Sequence, residues 1–313
     1  MPPQNILQHM SLVIAGTMAF DAIETPFGKT DKIVGGSAMY AAYSASYFTK
    51  PIKQISIIGY DFPQEEKDEM ERRGIVLEGV EQVADEKSFF WSGRYHNDMN
   101  TRDTLITDLN VLARFDPKLP ESYQDCSYLM LGNLMPKLQN QILDQLKHKP
   151  KLVIMDTMNF WMDIAMEELQ QVIARVDLLM VNDSEARQLS GEYSLVRAAE
   201  KIMAMGPKYL IIKKGEHGAL LFGEGKIFSA AALPLADVFD PTGAGDTFAG
   251  GFIGYLAKTD VVNFDSMKTA IIMGSAMASF CVEKFGAERI KEITQQDLDA
   301  RVDTFRKLVA FDV

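Results

Sequence analysis

Residues 240–251 read Asp-Pro-Thr-Gly-Ala-Gly-Asp-Thr-Phe-Ala-Gly-Gly. Three small residues, Gly243, Ala244 and Gly245, run straight into a helical pattern that begins near Asp246. Small residues let a ligand approach the backbone closely. The first turn of a helix leaves its N–H groups unpaired at the positive end of the helix dipole. Together these features make an anion hole able to hold a transferring phosphoryl group. Asp246 stands in that same turn, where its carboxylate can take the proton of an attacking hydroxyl. The alternative is that Asp246 only caps the helix, although capping alone does not require the Gly-Ala-Gly run. The chain contains no G-x-x-x-x-G-K-[ST] segment, so the loop is not a P-loop.

Positioning such a loop takes a rigid body, and the rest of the chain supplies the pattern of one. Short apolar runs at 11–16, 54–59, 128–131, 152–156, 178–182, 209–215 and 219–223 read as strands. Several are apolar throughout, as strands covered on both faces must be. Helical patterns lie between them, near 36–48, 63–73, 136–147, 163–174, 184–190 and 194–205. One more short strand follows 223, then a nearly unbroken helical stretch over 246–258, 264–283 and 294–309. The alternation predicts an α/β fold with a mostly parallel sheet between two helical layers. No linker, repeat or low-complexity tract divides the 313 residues, so one domain over 1–313 is expected. Residues 86–113 alternate polar and aromatic residues without helical period. They read as antiparallel strands, either a lid over the body or an edge hairpin of its sheet.

Composition narrows the function. Hydrophobic residues make up 47% and charged residues 24%, a globular mixture. With 43 Asp and Glu against 32 Lys and Arg, the net charge of −11 repels nucleic acid and anionic lipid. An anionic small molecule must therefore be held by local features such as the loop above. Cys126 and Cys281 sit far apart in apolar runs and read as reduced core thiols. No apolar stretch approaches the roughly 18 residues of a membrane span, and the N-terminus lacks a signal-peptide pattern. The expectation is a cytoplasmic chain without a membrane partner. His96 and His217 have no Cys or His partner at metal-ligand spacing.

The 240–251 stretch closely resembles the C-terminal signature D-x-x-G-A-G-D-x-F of the ribokinase-like (PfkB) family of sugar and nucleoside kinases. The similarity extends from about residue 11 to about 290. Residues 16–21 (GTMAFD) resemble the family's first strand and turn, in which Asp21 falls where an Asp holds substrate hydroxyls. Residues 35–42 (GGSAMYAA) resemble its Gly-Gly turn, placing Gly35 and Gly36 at the substrate. Residues 181–189 match its N-x-x-E motif at Asn182 and Glu185, thought to arrange water, Mg²⁺ and phosphate. Residues 213–222 (KKGEHGALLF) resemble its nucleotide-flanking hairpin, with Lys213 or Lys214 near the phosphates and Gly215 and Gly218 in the turn. Asp240 and Thr242 fall where a monovalent cation, K⁺, is often held.

The resemblance thus implies a three-layer sandwich with a small β lid, and an ATP- and Mg²⁺-dependent kinase acting on a hydroxyl of a sugar or sugar-like compound. Asp246 would be the base and Gly243, Ala244 and Gly245 the anion hole. A homodimer is compatible with this reading. Each assignment has a plainer counterpart: Asp21 as a turn residue, Gly35 and Gly36 as a tight turn, Asn182 and Glu185 as a helix cap, and Lys213 and Lys214 as strand-end charges. The chain also departs from the family. Ala19 and Tyr40 stand where sugar kinases commonly carry Asn, which favours a nucleoside kinase as the alternative, with Tyr40 stacking on a base or filling a smaller pocket. The segment from Asp21 to Gly35 looks too short for further lid strands. Phe90, Trp91 and Arg94 are expected to exclude water from the site. A non-catalytic binding protein on the same scaffold is the other reading.

Overall fold

The computed structural model describes residues 11–310. The N-terminal reading that finds no signal peptide falls largely on residues 1–10, outside the described residues.

Nine strands form the main sheet, in the order β14 (Lys226–Ala230), β13 (Ala219–Gly223), β12 (Tyr209–Lys213), β11 (Leu178–Asn182), β10 (Leu152–Asp156), β9 (Tyr128–Leu131), β1 (Leu12–Ala15), β5 (Ile52–Ile58) and β6 (Ile75–Gln82). From β12 to β6 neighbouring strands are parallel, while β13 and β14 turn back antiparallel at one edge. The apolar strands are explained by burial on both faces. Leu12 and Ile14 of β1 join one core layer, and Val13 and Ala15 join the other. The first layer is roofed by α1 (Ser37–Ala45), α8 (Ala244–Thr259) and α9 (Phe264–Cys281), with α2 (Gln64–Arg72) adding Met70 at its edge. The second is roofed mainly by α3 (Pro136–Asp144), α5 (Met166–Ile173), α6 (Asp183–Ser190) and α7 (Leu195–Met203). This is the three-layer sandwich expected from the alternation.

Close helix approach fixes α8, the helix entered through the Gly-rich loop. A Cβ on Gly250 would lie 2.1 Å from the Ala41 carbonyl oxygen of α1, and one on Gly274 would lie 2.5 Å from that of Phe248. These contacts need the absence of side chains and seat the N-terminus of α8 at the carboxyl ends of the parallel strands, the usual ligand edge of such sheets.

A second sheet covers that edge. It contains β7 (Phe90–Tyr95) and β8 (Arg102–Asp108) from the expected 86–113 region. It also contains β2 (Ala19–Thr25), β3 (Gly28–Lys29) and β4 (Ile33–Gly35), with β2 bonded to β3, β4 and β7. The expectation that 21–35 leaves little room for lid strands is therefore corrected. Two tight turns fold this short segment into three strands, and β2 lies at the heart of the small sheet. The helical pattern over 163–174 divides at Ala165 into α4 (Asn159–Ile164) and α5. β6 and α10 (Glu288–Glu292) were not anticipated.

Candidate active site

Strand alternation decides which lid residues face the body. On β2, Asp21, Ile23 and Thr25 are buried, and the Thr25 hydroxyl donates to the Phe239 carbonyl at 3.0 Å. Their face is the inward one. Parallel pairing sets Asp21 beside Trp91 and Ile23 beside Gly93, so Trp91, Gly93 and Tyr95 share that face. Arg94 and Glu24 lie on the outer face and pair at 2.8 Å. Arg94 is thus corrected from a site residue to half of an outward ion pair. Trp91 lies along the sheet over Gly93, where an added Cβ would meet the indole at 2.1 Å.

The lid touches the loop directly. The Thr242 hydroxyl donates to the Tyr95 hydroxyl at 3.2 Å. At the β7–β8 turn, the Asn100 side chain occupies the space a Cβ on Gly215 would need, 2.4 Å away. The lid is therefore seated on both the Gly-rich loop and the β12–β13 turn.

Within the loop, Gly243 takes φ +74° as the cap of α8, and a Cβ there would strike the Tyr40 ring at 2.5 Å. The Ala244 N–H is spent on the Pro241 carbonyl at 3.2 Å. The N–H groups of Gly243 and Gly245 carry no hydrogen bond among the described residues, and that of Asp246 reaches only its own carboxylate, which leaves these amides open to an anion. Ala244 is corrected accordingly: it shapes the turn. Asp246 is the third residue of α8, and its carboxylate accepts its own backbone N–H, with no reciprocal bond to the Gly243 cap. A capping box does not explain it. Burial and the neighbouring Asp156 push its carboxyl up to about 7, against the opposing pull of Lys213 and Arg102.

Asp21 is 5% exposed, and its carboxylate occupies the place a Cβ on Gly35 would take, 1.9 Å from Oδ2. Gly36 adopts φ +101° at the start of α1 and donates its N–H to Asp21. Burial, with the charges of Asp240 and Asp246, raises Asp21 to about 8. Asp240 is fully buried and accepts from the N–H groups of Thr242 at 2.8 Å and Gly286 at 2.9 Å, stapling the loop to the segment after α9.

Tyr40 is 1% exposed, with its ring against Gly243 and its hydroxyl without a hydrogen-bond partner among the described residues. Its stacking on a base is corrected, because the ring is sealed beneath the loop. Asn182 and Glu185 form a reciprocal capping box on α6, with bonds of 2.8 and 2.7 Å. The plainer reading thus describes their geometry, yet Glu185 is also buried beside Lys213 and Asp156. Burial raises its carboxyl to about 7 although Lys213 opposes the shift. Lys213 pairs with Asp156 at 2.6 Å and would lie 3.0 Å from a Cβ on Gly245, so its ammonium stands at the loop. Burial disfavours the Lys213 charge, but Asp156 and Glu185 outweigh it and raise its pKa. The Lys214 N–H closes the turn on the Gly218 carbonyl at 2.8 Å.

Asp156, Tyr95 and Arg102 were missed from sequence. Asp156 had a signal, a lone carboxylate ending an apolar parallel strand. The other two depend on the register of β7 and β8. Both cysteines are free and buried. No helix among the described residues is long and apolar enough to cross a membrane.

The raised carboxyls carry a consequence for stability. A group with a folded pKa above its unfolded value binds protons more tightly when folded, so its contribution is full at low pH and lost as pH rises through the folded value. Asp21, Glu185 and Asp246 all have this sign, with folded values of about 7 to 8. The ligand-free protein should therefore melt lower, by about 3–8 °C, at about pH 8.5 than at about pH 5.5 in constant salt. Calorimetry on Asp21→Asn should show a shallower decline. A melting temperature that climbs across this window would overturn the electrostatic account.

A three-layer α/β body carrying a glycine loop, a buried carboxyl in the helix turn after it and a seated β lid at its sheet edge defines a phosphotransferase that acts on a hydroxyl. The sequence profile of the pfkB family carbohydrate kinases matches residues 12–293. The chain belongs to this family and is a kinase. It is 28% identical over 249 residues to the cytidine kinase of Thermococcus kodakarensis, covering 78% of this chain and 87% of that one. It is 24% identical over 284 residues to the ribokinase of Lactococcus lactis, covering 89% of each. The fold matches that of Burkholderia thailandensis nucleoside kinase, solved in complex with inosine. The TM-score is 0.74 at 21% identity, over 94% of this chain and 97% of that one.

Proposed function

We propose that the protein transfers the γ-phosphoryl group of ATP to the primary hydroxyl of a nucleoside. The observation that carries this reading is Trp91, a partly exposed indole on the inward lid face directly beside Asp21. An aromatic platform next to the acceptor carboxylate suits a flat base attached to a sugar. The Asn positions that would suit a bare sugar are Ala19 and a sealed Tyr40. The names of the cytidine and nucleoside kinases among the relatives support the same choice.

In the reaction, Asp21 holds a sugar hydroxyl and orients the nucleophile toward the loop. The nucleophilic oxygen bonds to the γ-phosphorus as the bridging P–O bond breaks, and ADP leaves with that electron pair. Asp246 takes the hydroxyl proton, and the Gly243 and Gly245 N–H groups meet the equatorial oxygens. Among the described residues no cluster of three His, Cys, Asp or Glu forms a metal cage. The site fits Mg²⁺ that arrives on the nucleotide with most of its waters, and Glu185 and Asp156, clustered at Lys213 beside the loop, would hold it through those waters. Mg²⁺ would neutralise charge between the β- and γ-phosphates. Asp240, buried with no cationic side-chain partner among the described residues, fits a monovalent cation such as K⁺.

An ATP-consumption screen over nucleosides and free sugars tests the proposal. Turnover with nucleosides at much lower KM than with ribose or fructose is expected. Preference for a free sugar would return the protein to the sugar-kinase reading, and no turnover with any acceptor would point to a binding protein. Trp91→Ala should raise the nucleoside KM by about fivefold to tenfold, the worth of one stacking contact, with the ATP KM unchanged. An unchanged nucleoside KM would remove Trp91 from the pocket.

A further inference from the structure

Phosphoryl transfer here has an unbalanced charge. The loop is flanked by Asp246, Glu185 and Asp156, while the ammonium nearest it, Lys213, is already committed to Asp156 at 2.6 Å. Against this surplus of negative charge the loop offers only backbone N–H groups, and a phosphoryl group in transit adds more.

Arg102 opens β8 directly opposite Tyr95 in the antiparallel ladder. Directly opposed residues project from the same face. The face is known, because Tyr95 is bonded to Thr242 of the loop. The Arg102 guanidinium also lies 5.8 Å from the centre of the Trp91 ring on that same inward face. It makes no hydrogen bond or ion pair among the described residues, whereas outward Arg94 is paired with Glu24. An exposed arginine held only by a ring contact keeps all its donors available for planar, bidentate contact with phosphate oxygens. We propose that Arg102 is a catalytic residue carried by the lid, which donates to the transferring phosphoryl group when the Tyr95–Thr242 contact seats β7 and β8 on the loop. Its charge reaches Asp246 and Glu185, where it favours the ionised carboxylates. Arg102 therefore serves the base as well as the phosphoryl group. No proton or electron passes through the guanidinium: bond formation, bond cleavage and proton transfer stay as described above. The assignment concerns the donor side and holds for either class of acceptor.

The test compares wild type with Arg102→Gln, Arg102→Lys, Arg102→Gly and, as a lid-charge control, Lys29→Gln. Arg102→Gln should lower kcat by about 10²–10³-fold with the ATP KM within about threefold of wild type, since the contact is made chiefly in the transition state. Arg102→Lys should recover only part of the loss, because an ammonium lacks the fork. Added guanidinium should raise the turnover of Arg102→Gly and leave that of Asp246→Asn unchanged. A binding measurement needs no acceptor. Mg²⁺-ADP with aluminium fluoride should bind Arg102→Gln at least tenfold more weakly, with the non-hydrolysable analogue AMP-PNP little affected. Lys29→Gln should behave as wild type. A kcat for Arg102→Gln within threefold of wild type, or a parallel loss of AMP-PNP and aluminium-fluoride binding, would overturn the proposal.

Discussion

Asp246→Asn is expected to reduce kcat by about 10²–10⁴-fold, the usual worth of a positioned general base, with the ATP KM nearly unchanged. The amide is nearly isosteric and cannot take the hydroxyl proton. Stability should hold or rise slightly at neutral pH, because burial and Asp156 hold the Asp246 carboxyl up to about 7 and its ionised form is strained in the folded protein. The carboxylate caps only its own backbone N–H, and the Asn side-chain oxygen can keep that bond. In the wild type the same shift places the acid limb of the kcat/KM profile near pH 7, with activity rising as Asp246 deprotonates. The assay is steady-state ADP release with an acceptor identified by the screen, alongside thermal melts. Turnover within threefold of wild type from a folded Asp246→Asn protein would sink the catalytic assignment.

Asp21→Ala should divide the work of the site differently. Removing a buried hydrogen bond to an acceptor hydroxyl is expected to lower kcat/KM for the acceptor by about 10²-fold, mostly through KM, with the ATP KM within about twofold. The melting temperature should not fall and should rise at about pH 8.5, since Asp240 and Asp246 no longer face a third carboxyl. The two variants together separate acceptor binding from chemistry. Equal losses in acceptor and ATP affinity on Asp21→Ala would instead mean that Asp21 holds the loop and not the acceptor.

Much of this protein was legible in its sequence, for definite reasons. Runs such as LLMVN (178–182) are apolar on both sides of the strand, which only a sheet buried between two layers requires, so the main architecture followed from burial. The anion-hole loop was legible because its requirements are local. Positive φ at Gly243 and an acidic residue in the next helical turn are both set by contiguous residues. The same local character made the N-x-x-E pair ambiguous, since Asn182 and Glu185 satisfy a capping box whatever else they do.

The lid was only half legible. Residues 86–113 announced strands, but the residues from Asp21 to Gly35 were read as too short to join them. Their pairing with β7 is a contact between distant parts of the chain that no local pattern encodes. Register then decided the function of individual lid residues. Arg94 and Arg102 are indistinguishable by type, yet alternation turns one outward to Glu24, while pairing with Tyr95 turns the other toward Asp246. Tyr40 shows the same division from below. Its place on α1 was plain from the sequence, while its seal beneath Gly243 came from the packing of α8 on α1 through Gly250 and Gly254. The sequence by itself determined the layered body and the loop chemistry, because those depend on periodicity and on neighbouring residues. Tertiary structure alone decided which side chains surround that loop and which amides stay free, because strand register and helix approach are set by contacts between residues far apart in the chain.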